Sequence, residues 1–157
     1  MTNEDDVRAV MFANAALYDA FETADLDLME AVWVDGPGAE DVICVHPGWP
    51  PLRGRAQVLR SWAMIMANTT NISFVLTDVD ATVDGDVAVV TCAENILTGM
   101  PEDAELSTTL AATALSGGRV AATNVFRRTG NGWRLWVHHA SPVLTRQDAD
   151  IEVDREQ

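Results

Sequence analysis

The sequence predicts an α+β domain, and three observations carry that prediction. Apolar residues recur at helical spacing in three stretches between Val7 and Met66, then at strand spacing from Ile72 onward. Two β-rich runs flank Gly130-Asn131-Gly132, and Asn-Gly is a strong hairpin signal because both residues tolerate positive φ. The resulting order is helix, helix, strand, helix, then antiparallel strands. Helices segregated from strands in this way pack on one face of a curved sheet.

Each element has its own signal. Val7, Val10, Met11, Leu17, Tyr18 and Phe21 predict a helix over 4–22, with Asp5 and Asp6 complementing its dipole. Asp25 is a candidate N-cap for a short helix over 25–33, broken by Gly36-Pro37-Gly38. Residues 42–46 read as a short strand that ends in Pro47-Gly48-Trp49-Pro50-Pro51. Val58, Leu59, Trp62, Ile65 and Met66 give the apolar face of a helix over 55–67. Strands are expected over 72–83 and 87–97 around an Asp84-Gly85 turn. Residues 98–106 read as a loop, 107–115 fit either strand or helix, and Gly117-Gly118 marks a turn or bulge. One domain over 5–143 is expected, followed by a flexible acidic tail over 144–157.

Composition narrows the function classes. The chain has 157 residues, 24 acidic and 10 basic, for a formal net charge of -14. Every basic residue is Arg. Such a balance argues against a nucleic-acid partner, whose phosphates need a basic footprint, and against anionic membrane surfaces. No apolar run reaches the ~20 residues that span a bilayer, and the acidic start lacks a signal-peptide charge pattern, so a cytoplasmic protein is expected. Cys44 and Cys92 lie far apart in apolar runs and read as buried reduced thiols. No cofactor and no metal is expected, since His46 and His138 lack a clear third ligand.

Alternation also assigns faces. Along 120–126, Val120, Ala122, Asn124 and Phe126 point one way, and Ala121, Thr123 and Val125 the other. Along 133–139, Trp133, Leu135 and Val137 should oppose Trp136. Both faces are substantially apolar, yet helices cover only one. A homodimer through the sheet is the expected cover for the other.

These residues resemble the nuclear transport factor 2-like superfamily. The resemblance rests on the helical start, on Val45-His46-Pro47-Gly48-Trp49-Pro50-Pro51-Leu52-Arg53-Gly54, on the Trp-bearing helix after it, and on Thr123–Pro142. It is nearest to SnoaL-like proteins of unassigned function, and the ending is also similar to the association domain of calcium/calmodulin-dependent kinase II. The resemblance implies a cone-shaped fold, with a strongly bent antiparallel sheet wrapped around the first helix and a deep pocket between sheet and helices. Members include ketosteroid isomerases, polyketide cyclases, hydrolases, dehydratase-type enzymes and plain binding or assembly domains, so fold alone does not assign function. Asn124 and Ala140 occupy positions where the kinase association domain carries pocket arginines, which argues against a carboxylate-binding pocket here. The Asp and Tyr of ketosteroid isomerases and the Asp-Arg-Asp set of epoxide hydrolases find no clear match. Residues 98–116 look longer than in the family.

The candidate chemistry follows. His46, at a strand end, is either a general base or a brace for the Pro/Gly/Trp loop. His138 and His139 take opposite faces; parity with Ala140 turns His138 inward and leaves His139 for the interface. Glu94, beside Asn95 near a strand end, is expected to be exposed; were it buried, its raised pKa would suit acid–base work. Asn124 and Thr91 are candidate hydrogen-bonding lining, and Tyr18, Trp33 and Trp62 candidate apolar lining. Trp49 is a candidate for the pocket mouth, whereas Arg127 and Arg128 should meet surface carboxylates or solvent. The leading expectation is a binding protein for a small apolar or weakly polar molecule. One alternative is a cofactor-free isomerase, cyclase or hydrolase using His46, His138 or Glu94. The other is an assembly module with a vestigial pocket; a cavity found collapsed and dry, with Asn124 bonded wholly to protein, would overturn both ligand readings.

Overall fold

The computed structural model describes residues 2–98 and 119–144. Helix α1 spans Asn3–Glu22 and α2 spans Leu26–Val32; after strands β1 (Ile43–Val45) and β2 (Leu52–Arg53) comes α3, Arg55–Ala67. Four long strands follow: β3 (Ile72–Asp84), β4 (Val87–Thr98), β5 (Arg119–Thr129) and β6 (Gly132–Val143). They form one open six-stranded sheet in the order β2-β1-β6-β5-β4-β3. Only β1 against β6 is parallel. The fold is the expected α+β cone, and the readings of 98–116, of Gly117-Gly118 and of the tail lie largely or wholly outside the described residues.

Local chemistry sets the helix ends. Thr2 and Asp5 form a reciprocal capping box: Asp5 N–H donates to Thr2 Oγ1 at 3.2 Å while Thr2 N–H donates to the Asp5 carboxylate at 3.3 Å. Asp25 caps α2 through Leu28 N–H at 3.0 Å, as expected. The α1 stripe Val10, Asn14, Leu17, Tyr18 and Phe21 is buried. It packs mainly on β3 and α2, and also on β6 and β4 of the sheet that curves around it.

Two irregularities bend the sheet. The β3–β4 register slips between Thr77 and Asp80, where Asp78 takes φ 54°. The β5–β6 register slips at Val125/Phe126, so that Val125 faces Val137 while Phe126 faces Leu135. This bulge leaves Trp136 as the extra residue, and Leu135 and Val137 therefore do not share a face. Leu135 is fully buried and Val137 only half-buried, which corrects the simple alternation expected for 133–137. In the hairpin, the positive φ falls on Gly132 (96°) and not on Asn131. A Cβ there would be strained, which explains glycine at this position.

A clasp joins the hairpin to the helix. Arg128 donates two parallel bonds of 2.9 Å to the Asp6 carboxylate, stacks over Trp133 at 4.4 Å and bonds Asp86 at 3.2 Å. The guanidinium holds the Asp6 carboxyl below its ordinary pKa. Among the described residues, no helix is long and apolar enough to cross a membrane.

Candidate functional site

Five elements meet around a small interior chamber. Leu17, Tyr18 and Phe21 of α1 form one wall, and Trp62 of α3 another. His46 and Pro47 follow β1; Phe74, Glu94, Ile96 and His138 come from β3, β4 and β6. The free volume is ≈ 20 Å³, room for about one water molecule. Anything larger enters only when half-buried wall residues such as Phe74 and Ile96 move. Two larger hollows, ≈ 680 and ≈ 660 Å³, lie on the outer surface beside the hairpin tip. They are open to solvent, and two of their arginines are already engaged. Arg55 donates to the carbonyls of Glu30 and Trp33, and Arg128 pairs with Asp6 and Asp86. The enclosed chamber, where carboxyl and imidazole meet apolar walls, is the better candidate.

One wall carries a connected polar chain. The Tyr18 hydroxyl donates to Glu94 Oε2 at 2.6 Å. Asn124 Nδ2 donates to Asn14 Oδ1 at 2.8 Å and to the Tyr18 oxygen at 3.3 Å. His138 Nδ1 meets Asn124 Oδ1 at 2.6 Å. Glu94 is 4% exposed, and burial raises its pKa to about 7 despite the favourable Tyr18 bond. Burial also pushes the Tyr18 phenol well above its ordinary pKa and lowers His138 to about 3. The imidazole is therefore neutral, and the carboxyl changes charge near neutral pH.

The opposite wall is built on His46, which is fully buried. Its Nε2 lies 2.9 Å from Ser61 Oγ, and Ser61 donates to the Val58 carbonyl at 2.6 Å. Trp49 and Trp62 meet the ring edge-on at 4.9 and 4.8 Å. Burial lowers the His46 pKa to about 4. The ring braces the loop, since Trp49 N–H also donates to the His46 carbonyl at 2.9 Å, and it faces the chamber as well. Both roles considered for it have geometric support.

The candidates thus divide. Tyr18, His46, Trp62, Glu94 and His138 converge on the chamber, and Asn124 lies behind them, bonded to Tyr18 and His138. Glu94 is not the exposed strand-end carboxylate expected, because its side chain turns under the sheet toward Tyr18. Thr91 is exposed: in register with Thr123 and, across β5, His139, it belongs to the outer face, not the lining. Trp33 is core, bridged to Leu135 of β6, and touches only an outer hollow. Trp49 is half-buried against His46, off the chamber wall. Ser61, Phe74 and Ile96 gave no sequence signal of their own. Ser61 lies beside Trp62 on the buried face of α3, and a polar residue on an apolar stripe was the available clue.

Residues 10–145 match the SnoaL-like domain family. The chain belongs to that family. A structure from Streptomyces avermitilis, described as a candidate dehydratase of the nuclear transport factor 2-like family, is 50% identical over 92% of this chain and all (100%) of that one, with a TM-score of 0.77. A candidate calcium/calmodulin-dependent protein kinase type II association domain from Thiobacillus denitrificans is 32% identical, covering 84% of this chain and 93% of that one, TM-score 0.68. A candidate aromatic ring hydroxylase from Novosphingobium aromaticivorans, 20% identical over 92% of this chain and 94% of its own, has a TM-score of 0.69 and supports the fold alone. No curated protein matches the chain. The SnoaL-like assignment accounts for the fold and leaves the chemistry to these residues.

Proposed function

We propose that this SnoaL-like chain binds a small, largely apolar molecule in the chamber and supports cofactor-free proton transfer there. One observation carries the reading: Glu94 sits in an apolar chamber, bonded to Tyr18, with a pKa of about 7. A carboxyl in that state takes or gives a proton at neutral pH. A purely structural core gains nothing from it, because a buried ionisable group lowers stability unless it is fully paired. In this reading Glu94 is the acid–base group, Tyr18 orients it, and neutral His138 and His46 face the bound molecule. The resemblance to a candidate dehydratase supports proton transfer at carbon as the reaction class.

A fragment screen by protein-observed NMR tests the binding part. Hits should perturb Tyr18, Trp62, Phe74 and Ile96 together, and Glu94→Gln should abolish any turnover while preserving the fold. Undiminished turnover in Glu94→Gln would remove Glu94 from the mechanism. The assembly-module reading has its own support in the ≈ 20 Å³ chamber and in Asn124 being bonded to protein at both amide atoms. It predicts that no fragment perturbs those four residues.

We also propose a homodimer through the outer sheet face. Val75, Val89 and Leu97 are 50%, 37% and 58% exposed there, with Val125, Val137 and Ile43 half-buried beside them. Light scattering should give twice the monomer mass, and Val89→Lys should reduce it to the monomer. A wild-type monomer at micromolar concentration would overturn this proposal.

A further inference from the structure

The direction of the hydrogen bonds around the chamber says what kind of molecule it recognises; the argument rests on the ligand reading above. The 2.6 Å contact between Glu94 Oε2 and the Tyr18 hydroxyl needs one proton. An ionised Glu94 has none, so Tyr18 supplies it. The Tyr18 oxygen then can only accept, from the Cys92 thiol at 3.6 Å and from Asn124, and the amide atom 3.3 Å away is a donor, Nδ2. Asn124 is thereby oriented, with Oδ1 toward His138 Nδ1 at 2.6 Å. Oδ1 cannot donate, so Nδ1 carries the proton of the neutral ring, and His138 Nε2 keeps a lone pair.

The opposite wall obeys the same logic. Ser61 gives its only hydroxyl proton to the Val58 carbonyl, so it accepts from His46 Nε2. The neutral His46 ring keeps a lone pair on Nδ1, and the protonated Cys44 thiol is there to meet it, its sulfur 3.8 Å from Nδ1 and 3.6 Å from Nε2. The Trp62 indole N–H, on a residue that lines the chamber, is buried and has no bonding partner among the described residues. Among the described residues, nothing donates to His138 Nε2 or to Glu94 Oε1. Tyr18 and both imidazoles thus use their side-chain protons inside the protein, His46 is satisfied by Ser61 and Cys44, and what His138 Nε2 and Glu94 Oε1 offer is lone pairs.

We infer that, with Glu94 ionised, the chamber recognises a neutral ring compound through a hydroxyl, as a cyclic alcohol or phenol, and rejects the matching ketone. A hydroxyl supplies the proton that His138 Nε2 or Glu94 Oε1 lacks. A ketone oxygen would have the Trp62 N–H as its one available donor among the described residues and would leave His138 Nε2 and Glu94 Oε1 unpaired, the situation in which polar sites discriminate strongly. The apolar remainder of such a ring suits Leu17, Phe21, Trp62 and Phe74, and among the described residues no arginine lines the chamber to hold an anion.

The test uses cyclohexanol and cyclohexanone, which share ring and heavy-atom count. Wild type and Phe74→Ala, which opens the wall, are titrated by NMR well above the Glu94 titration. Cyclohexanol should bind about tenfold tighter than cyclohexanone, the ratio expected for one hydrogen bond. Nitrogen-15 spectra of the free protein should show His138 protonated on Nδ1 and bare on Nε2, with Nε2 shifting when the alcohol binds. In His138→Phe, which keeps the ring but loses the lone pair, the preference should shrink to that of Glu94 alone. A ketone bound as well as the alcohol, or a protonated His138 Nε2, overturns this inference and leaves the ligand site standing. If neither ring binds wild type or Phe74→Ala, the ligand reading fails, and this inference with it.

Discussion

His138 and His139 are neighbours in one strand and have opposite fates. His138 faces the chamber, bonded to Asn124, and burial holds it neutral. His139 is exposed on the outer face, in register with Thr123. The same division holds along β4, where exposed Thr91 lies three residues from buried Glu94. Residue type did not decide these roles. The pleat and the curvature did, by placing one face of the strands against α1 and leaving the other outside.

The comparison breaks most sharply at Asn124. Asn124→Leu removes the partner of Asn14, Tyr18 and His138 at once, leaving buried polar groups unmatched. It should lower unfolding free energy by roughly 3–5 kcal/mol in a denaturant titration. A loss below about 1 kcal/mol would mean that the polar chain is not formed.

Glu94→Gln should act with the opposite sign. The Glu94 pKa rises from 4.5 unfolded to about 7 folded, so the folded state binds more protons between those values. Stability is therefore highest below the unfolded value and falls as pH rises through the folded one. Its neighbours Tyr18, Cys92 and Cys44 carry no positive charge to offset this, and His46 and His138 are neutral there. Gln should raise stability above neutral pH by about 3 kcal/mol and change little below pH ~4. Equal effects at both ends of the profile would contradict a raised carboxyl pKa.

The acid limb sharpens the contrast between the histidines. Folding lowers His46 to about 4 and His138 to about 3 from 6.5, so their contribution is present above 6.5 and lost as pH falls. His138→Phe should flatten the slope of stability below pH ~6 by roughly 1.4 kcal/mol per pH unit. The smallest effect belongs to the outer face. Thr91→Ala should change monomer stability by less than about 0.5 kcal/mol, read by thermal melting in the Val89→Lys background.

Much of the fold was legible from local physics. Asp25 as a cap, the helix over 55–67, the strands around Asp84-Gly85 and the hairpin at Gly130–Gly132 all depend on neighbours in sequence. The SnoaL-like assignment and the inward turn of His138 were legible too. Less of the site was. Glu94 read as an exposed strand end, Thr91 as lining, and Trp33 as pocket wall, while Phe74 carried no signal and Ser61 only that of a polar residue on an apolar stripe. The bulge at Val125/Phe126 also escaped alternation, because one extra residue reverses a face without leaving a mark in composition.

The sequence by itself determined the element order, the α+β class, the acidic charge and the hairpin, since periodicity, caps and turns act over a few residues. Tertiary structure alone decided that Glu94 lies beneath the sheet, that Tyr18 reaches it across 76 positions, and that Asn124 joins Asn14 across 110. A carboxyl's charge state depends on the solvent it loses and the donors it meets. Both are set by chain segments remote in sequence and brought together by the bend of the sheet.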